Sequence, residues 1–161
     1  MKIVTYPSEI LHKMSQPVEE VNDEIGELIE KMFEVMYENR GLGLAAIQIG
    51  IDKRIFVYDI GNGPGVFINP KVIEQEGTMI SFGEGCLSVP GITSNLKRSK
   101  KIVVEGLDID GKLRRIEATD HLARVFQHEI DHLNGTLFID RFSSLKMKMY
   151  EKKLKKIRRY E

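Results

Sequence analysis

The segment that most constrains this chain spans residues 127–132 and reads Gln-His-Glu-Ile-Asp-His. On an α-helix, which turns about 100° per residue, His128 and His132 lie one turn apart, so their imidazoles can converge on one cation. The same helix is predicted to carry an apolar stripe formed by Leu122, Val125, Phe126 and Leu133. Glu129 falls inside that stripe, where a carboxylate needs a charged partner or a raised pKa. The pattern predicts a metal site with its own general base, and the alternative is a surface helix facing solvent.

The remaining polar residues of this helix are predicted to lie elsewhere. Those pointing away from the stripe are Arg124, Gln127, Asp131 and Asn134. His121 precedes His128 by about 10 Å along the axis, which is too far for both to bind one ion. We therefore expect His121 at the wall or rim of a pocket, and Asp120 is a suitable N-cap residue.

Length and composition predict a single domain. A chain of 161 residues can bury a core without disulfides, and 42% hydrophobic with 30% charged residues is ordinary for a globular protein. The N-terminus has no leader pattern and no long apolar run follows, so we expect a cytoplasmic protein without stable membrane association. The single cysteine, Cys86, excludes an internal disulfide and leaves three possibilities: buried filler, reactive thiol or metal ligand.

The order of helical and strand signals predicts an α+β fold. The first 20 residues are predicted to be irregular and packed on the surface, whereas residues 22–40 form an amphipathic helix. Asn22 or Asp23 can cap that helix, and Gly41 suits the left-handed position after it. Strand-like runs cover residues 54–60, 66–73, 78–82, 101–109 and 112–118. We expect short, mainly antiparallel sheets around the central metal-binding helix, with another helix at the C-terminus.

Two stretches rich in small residues flank these strands. Residues 41–50 contain three glycines whose spacing is not that of a phosphate-binding loop. Small residues there allow close approach of another backbone, or they form a tight turn. Gln48 is the lone amide of this apolar run and needs a partner if buried. Residues 83–91 place Cys86 beside a glycine, where a thiolate can reach a metal, and Glu84 can orient a basic partner.

Three motifs in this order resemble the peptide deformylase family. They are residues 41–48, residues 84–88 and residues 127–135. One motif would be weak, but three in order are specific, and the similarity runs through nearly the whole chain. The resemblance implies one catalytic domain over residues 1–161, of the short bacterial type. The sequence departs from the family pattern at Ile47 and at Asp120-His121, the latter beside the expected side-chain pocket.

The resemblance implies a metalloenzyme. Its ion would be held by Cys86, His128 and His132 with the fourth position open, as in catalytic zinc-type sites. Family members characteristically use one Fe²⁺ per chain, with Zn²⁺ or Ni²⁺ as possible substitutes.

By the same resemblance, the reaction removes the formyl group from the N-terminal formyl-methionine of new polypeptides. Glu129 would act as general base, while the Gln48 amide and the Leu87 backbone N–H stabilise the oxyanion. The peptide would lie extended between the backbones of residues 43–44 and 88–91. The substrate-binding residues implied in this way are Gly43, Leu44 and Val125.

Three other classes of protein share parts of this pattern. A zincin-type peptidase needs a third ligand downstream, but no histidine follows His132 and the only later acids are Asp140, Glu151 and Glu161. A copper electron-transfer protein would not place two histidines one helical turn apart. A non-enzymatic module that binds formyl peptides or ribosomes would lack the base, Glu129.

The C-terminal residues 144–161 contain eight Lys or Arg against two Glu. On a helix their apolar face is Met147, Tyr150, Leu154 and Ile157. The opposite basic strip is Lys148, Lys152, Lys155, Lys156 and Arg159. The resemblance implies that this helix docks on ribosomal RNA, whereas the alternatives are a solubilising face or an anionic membrane surface.

Overall fold

The computed structural model describes residues 1–159, with side chains as far as residue 157. The helices are α1 (Asp23–Glu38), α2 (Asp120–Leu133) and α3 (Ser144–Arg159). The strands are β1 (Gly43–Ala45), β2 (Ile55–Tyr58), β3 (Gly65–Glu76), β4 (Met79–Cys86), β5 (Val89–Arg98), β6 (Lys101–Leu107) and β7 (Leu113–Thr119). Short 3₁₀ helices cover Glu9–His12, Ala46–Ile49 and Phe138–Arg141. The predicted α+β class is confirmed.

Two antiparallel sheets organise the molecule. Five strands pair in the order β1-β2-β3-β6-β7, and β4 pairs with β5 as a separate hairpin. Successive side chains of β2 point to opposite faces of the larger sheet, and each face is covered by a helix. Ile55 and Val57 join a core with α1, whereas Phe56 between them joins a second core with α2. None of the described helices is long and apolar enough to cross a membrane.

A third core holds the β4–β5 hairpin against both ends of the chain. It joins Val89 and Ile92 of β5 to Leu154 and Ile157 of α3. Leu11 from the first 3₁₀ helix is also fully buried here. The first 20 residues are irregular apart from one short turn, as predicted, but this segment also completes the core that anchors α3, which the sequence did not indicate.

The strand β5 was missed by sequence reasoning, and β4 runs further than expected. The sequence predicts no strand between residues 82 and 101, but β4 continues to Cys86 and β5 begins at Val89. Along β5, buried Ser94 and Arg98 share the inward positions with the apolar residues. Polar side chains at those positions hide the hydrophobic alternation that identifies a strand.

The end of α1 also differs from expectation. Asn22 caps its start by accepting a hydrogen bond from Ile25 N at 3.0 Å, as predicted. At its end, the left-handed residue is Arg40, with φ 56°, and not Gly41. Gly41 is small for another reason, since a Cβ there would lie 2.9 Å from Leu87 Cδ1. This glycine lets the helix end approach the turn of the β4–β5 hairpin.

Candidate active site

Three candidate metal ligands meet between α2 and the β4–β5 hairpin. Cys86 is the last residue of β4, and His128 and His132 lie on successive turns of α2. The donor atoms all lie within 4.8 Å of one another. His132 Nε2 is 3.2 Å from His128 Nε2 and 3.3 Å from Cys86 Sγ. The three residues predicted as ligands are thus brought together.

Buried charges orient the first imidazole. His128 Nδ1 donates to Glu84 Oε1 at 2.8 Å, which turns its Nε2 toward the other donors. Arg98, 5% exposed, pairs with Glu84 on one side and with Asp131 at 2.7 Å on the other. Asp131 also accepts two hydrogen bonds from Arg141 at 2.8 Å. Asp131 points away from the apolar stripe, as predicted, but two arginines cover it, so it is buried and not exposed to solvent.

The electrostatics of this cluster suit a divalent cation. Burial raises the pKa of Glu84, but hydrogen bonds from His128 and Arg98 outweigh it and hold that pKa well below its ordinary range. Burial, with the neighbouring His128, holds the pKa of His132 well below its ordinary value, so this ring is neutral and able to ligate. For His128, hydrogen bonds with Cys86 and Glu84 overcome burial and raise the pKa. A metal ion can replace the proton held there, since ligation needs a thiolate and neutral imidazoles.

Glu129 lies beside the donors without pairing with a cation. It is 4% exposed, and among the described residues its Oε2 has no hydrogen-bond partner. Burial is the main cause that raises its pKa to about 7. Its side chain rests on Gly43, where a Cβ would lie 2.7 Å from Glu129 Oε1. The small residue at position 43 therefore leaves room for the Glu129 carboxylate.

A buried amide faces the thiol from the opposite side. Gln48 Oε1 accepts from Ala45 N at 2.9 Å, which directs its Nε2 toward Cys86 Sγ at 3.6 Å and Ser88 Oγ at 3.1 Å. Leu87 and Ser88 form the turn between β4 and β5. The amide of Gln48 and the backbone of Leu87 therefore border the same donor cluster.

An open cleft of about 690 Å³ leads to these groups. Gly43, Gln48, Leu87 and Val125 line it together with Cys86, His128 and Glu129. The side chain of Leu44 does not line the cleft, because it is fully buried in the core with α1. Strand alternation explains this, because Leu44 points to the sheet face opposite α2. His121 is exposed, and it is Arg124 and Val125 of the same helix that line the cleft.

The start of α2 corrects one further expectation. Thr119, not Asp120, occupies the N-cap position, and it makes no side-chain cap hydrogen bond. Asp120 is the first helical residue and adopts φ 53°. The sharp change of direction between β7 and α2 requires this left-handed residue, which aspartate tolerates better than most side chains.

Arg98 and Arg141 support the cluster but were not singled out from sequence. A signal did exist for a partner, because Glu84 and Asp131 both fall next to predicted ligands and a buried carboxylate requires a cation. The chain has 24 Lys and Arg residues, and the sequence does not show which of them are the partners. Arg98 and Arg141 are identified only by the strand pairing of β5 and by the packing of the third core.

Two imidazoles, one thiol, an adjacent carboxylate and an open cleft define the site of a hydrolase that works with one metal ion. The sequence model of the Polypeptide deformylase family matches residues 1–148. The chain belongs to this family of metalloenzymes.

Individual members of the family are similar to this chain over nearly its whole length. The peptide deformylase of Thermodesulfovibrio yellowstonii is 46% identical over 160 residues, covering 96% of each chain. The crystal structure of a peptide deformylase from Legionella pneumophila superposes with a TM-score of 0.93 at 42% identity, covering 99% of this chain and 95% of that one. The Plasmodium falciparum peptide deformylase in complex with an inhibitor gives 0.90 at 40% identity, covering 98% and 99%.

Proposed function

We propose that this enzyme removes the formyl group from the N-terminal formyl-methionine of newly made polypeptides and releases formate. The observation that carries the proposal is the placement of Glu129, a buried carboxylate with a pKa near 7, against the Cys86, His128 and His132 donors. A general base works best when its pKa lies near the working pH.

Different residues of the site have different roles in the proposed hydrolysis. Cys86, His128 and His132 would hold one Fe²⁺, with Zn²⁺ or Ni²⁺ as substitutes. When bound, the ion supplies Lewis acidity and lowers the pKa of a water molecule. Glu129 takes a proton as water adds to the formyl carbon, and returns it to the leaving amine as the C–N bond breaks. The Gln48 amide and the Leu87 N–H donate to the oxygen that gains negative charge.

The substrate backbone is proposed to add to β1 as a further strand. Among the described residues β1 pairs only with β2, so its other edge is open on the side of the cleft. Backbone groups of Gly43 and Leu44 can bind the peptide even though the Leu44 side chain is buried. The methionine side chain would then contact Val125, which lines the cleft near the His128 turn.

The direct test measures three amide substrates with the metal-loaded protein. We expect turnover of formyl-Met-Ala-Ser with stoichiometric formate, and none of Met-Ala-Ser or of an internal peptide bond. Cleavage of the internal bond would identify an endopeptidase instead, and binding without turnover would identify a formyl-peptide module.

We further propose that α3 brings the enzyme to ribosomes in the cytoplasm, where such chains emerge. Leu154 and Ile157 are buried against the third core, whereas Lys148, Lys152 and Lys155 are exposed. The side chain of Arg159 and residues 160–161, part of the predicted basic helix, lie outside the described residues. Reversing those three lysines should abolish salt-sensitive co-sedimentation with ribosomes and leave tripeptide turnover nearly unchanged. Equal co-sedimentation of variant and wild type would leave α3 as a packed, solubilising helix.

A further inference from the structure

A second concave surface, which we call the basic groove, adjoins the active-site cleft. It encloses about 1000 Å³ between the N-terminal segment, the start of β5 and α3. Its floor includes Val4, Pro90 and Ile157, and its rim carries Lys2, Lys153 and Lys156. The deformylation reaction described above does not use this surface.

The rim of the basic groove carries three lysines. Lys2, Lys153 and Lys156 are all exposed, and within residues 1–157 none of them forms an ion pair with a carboxylate. Lys153 Nζ lies 5.9 Å from the centre of the Tyr150 ring, a contact that leaves its charge available. By contrast, Lys155 on the same helix pairs with Glu151 at 3.1 Å. Three exposed ammonium groups that pair with no carboxylate within residues 1–157, around an apolar floor, favour an acidic ligand with some hydrophobic surface.

The basic groove and the active-site cleft share part of their lining at the start of β5. Pro90 and Gly91 line both surfaces. Val89 pairs with Cys86 across the hairpin. Gly91 lies two residues beyond Val89 along β5, which is a distance of about 7 Å from Val89. An extended substrate whose formyl group lies beside Cys86, His128 and His132 spans that distance with its next two or three residues. Residues from about the fourth onward then leave the cleft over Pro90 and Gly91.

We propose that the basic groove binds acidic side chains at residues 4 to 7 of the polypeptide substrate and so favours acidic N-terminal sequences. This inference rests on the proposed deformylation, because it assigns the later part of the same substrate. The acidic segment is the occupant for which the structure offers both charge complementarity and a continuous path from the reacting end.

Matched peptides test the proposal. Each begins formyl-Met-Ala-Ser, followed by four Glu or four Gln at positions 4 to 7, with a third peptide carrying the four Glu at positions 8 to 11. We expect kcat/KM roughly five-fold higher for Glu than for Gln at positions 4 to 7, mainly through KM, since exposed charge pairs contribute modestly. The advantage should shrink for Glu at positions 8 to 11 and with added salt.

Charge-reversal variants locate the effect. In Lys153→Glu/Lys156→Glu the preference for Glu at positions 4 to 7 should disappear or reverse. The control Lys31→Glu/Lys112→Glu changes the net charge equally at exposed sites on α1 and the β6–β7 loop, and should keep the preference. Lys2→Glu provides a second groove variant outside α3, should the double variant fold poorly. Circular dichroism and turnover of formyl-Met-Ala-Ser verify folding of each variant.

Three results overturn the proposal. The first is an unchanged Glu preference in the folded groove variants, and the second is an equal loss in the Lys31/Lys112 control, which would indicate general charge steering. The third concerns RNA. If oligouridylate binds the groove lysines but no Glu preference exists, the groove serves RNA and the proposal fails. Absence of turnover even on formyl-Met-Ala-Ser would instead refute the proposed function, so the two failures are distinguishable.

Discussion

At the scale of single residues, the site depends on the buried carboxylate of Glu129, which pairs with no cation in the described part of the chain. Glu129→Gln keeps the shape of the side chain but cannot accept a proton. We expect the variant to bind one metal ion per chain and to lose kcat by roughly 10²- to 10⁴-fold, the usual contribution of a general base. Metal analysis and formate release together check this. Wild-type turnover, or loss of the metal, would contradict the role of Glu129.

Gly43 is the second residue that decides the geometry. In Gly43→Ala the new Cβ would lie 2.7 Å from Glu129 Oε1, so the carboxylate must move. A displacement of about 1 Å at a catalytic group can cost about 100-fold in rate. We expect kcat to fall by roughly that factor, with metal content retained.

The matched control for this change is Gly26→Ala, on α1, where a Cβ meets nothing within 4 Å. That variant should keep full activity and gain slightly in stability, because alanine favours helix by about 1 kcal/mol over glycine. Equal activity of the two variants would show that Glu129 needs no room at Gly43.

At the scale of elements, Arg98 joins β5 to β4 and α2. Arg98→Met removes the cation between Glu84 and Asp131 and leaves buried carboxylates, which costs about 3–5 kcal/mol when one partner of a buried pair is lost. Urea unfolding of the variant at pH 7 measures this cost. Lys101→Met, which removes a surface pair with Glu117, is the control and should change stability by less than about 1 kcal/mol.

The ion pair between Arg98 and Glu84 makes the free energy of unfolding depend on pH. The folded-state pKa of Glu84 is lowered, so its contribution is complete above the ordinary glutamate pKa of about 4.3 and is lost as the pH falls below it. The difference between wild type and Arg98→Met should therefore be largest near neutrality and shrink below about pH 4. A constant difference from pH 7 to pH 3 would contradict this linkage.

Sequence reasoning succeeded where one element carries its own pattern. The spacing of His128 and His132 predicts α2 and brings both imidazoles together, and the apolar periodicity of residues 22–40 predicts α1. It failed where tertiary partners decide. The inward face of β5 is partly polar because Arg98 meets carboxylates from two other elements, and Leu44 is buried because α1 covers that sheet face. Neither partner can be identified from local spacing alone.

At the scale of the whole molecule, a bound ion would fasten the hairpin to α2. An ion that binds only the folded state stabilises it by mass action, about 4 kcal/mol at 1,000 times its Kd. Removing the metal with a chelator should therefore lower Tm by several degrees. Cys86→Ala, purified without oxygen, should contain far less metal and show almost no further shift with chelator. Full metal content and activity in Cys86→Ala would exclude it as a ligand.

The position of the donors on separate elements has a consequence for how a new copy of this enzyme matures. Cys86 and His132 are 46 residues apart and belong to different elements, the β4–β5 hairpin and α2. A chain in which only α2 has formed presents two imidazoles, and one in which only the hairpin has formed presents a single thiol. Contacts of such long separation form late, after the entropy of closing the loop has been overcome. We therefore expect a metal ion to bind tightly only after the hairpin has packed against α2.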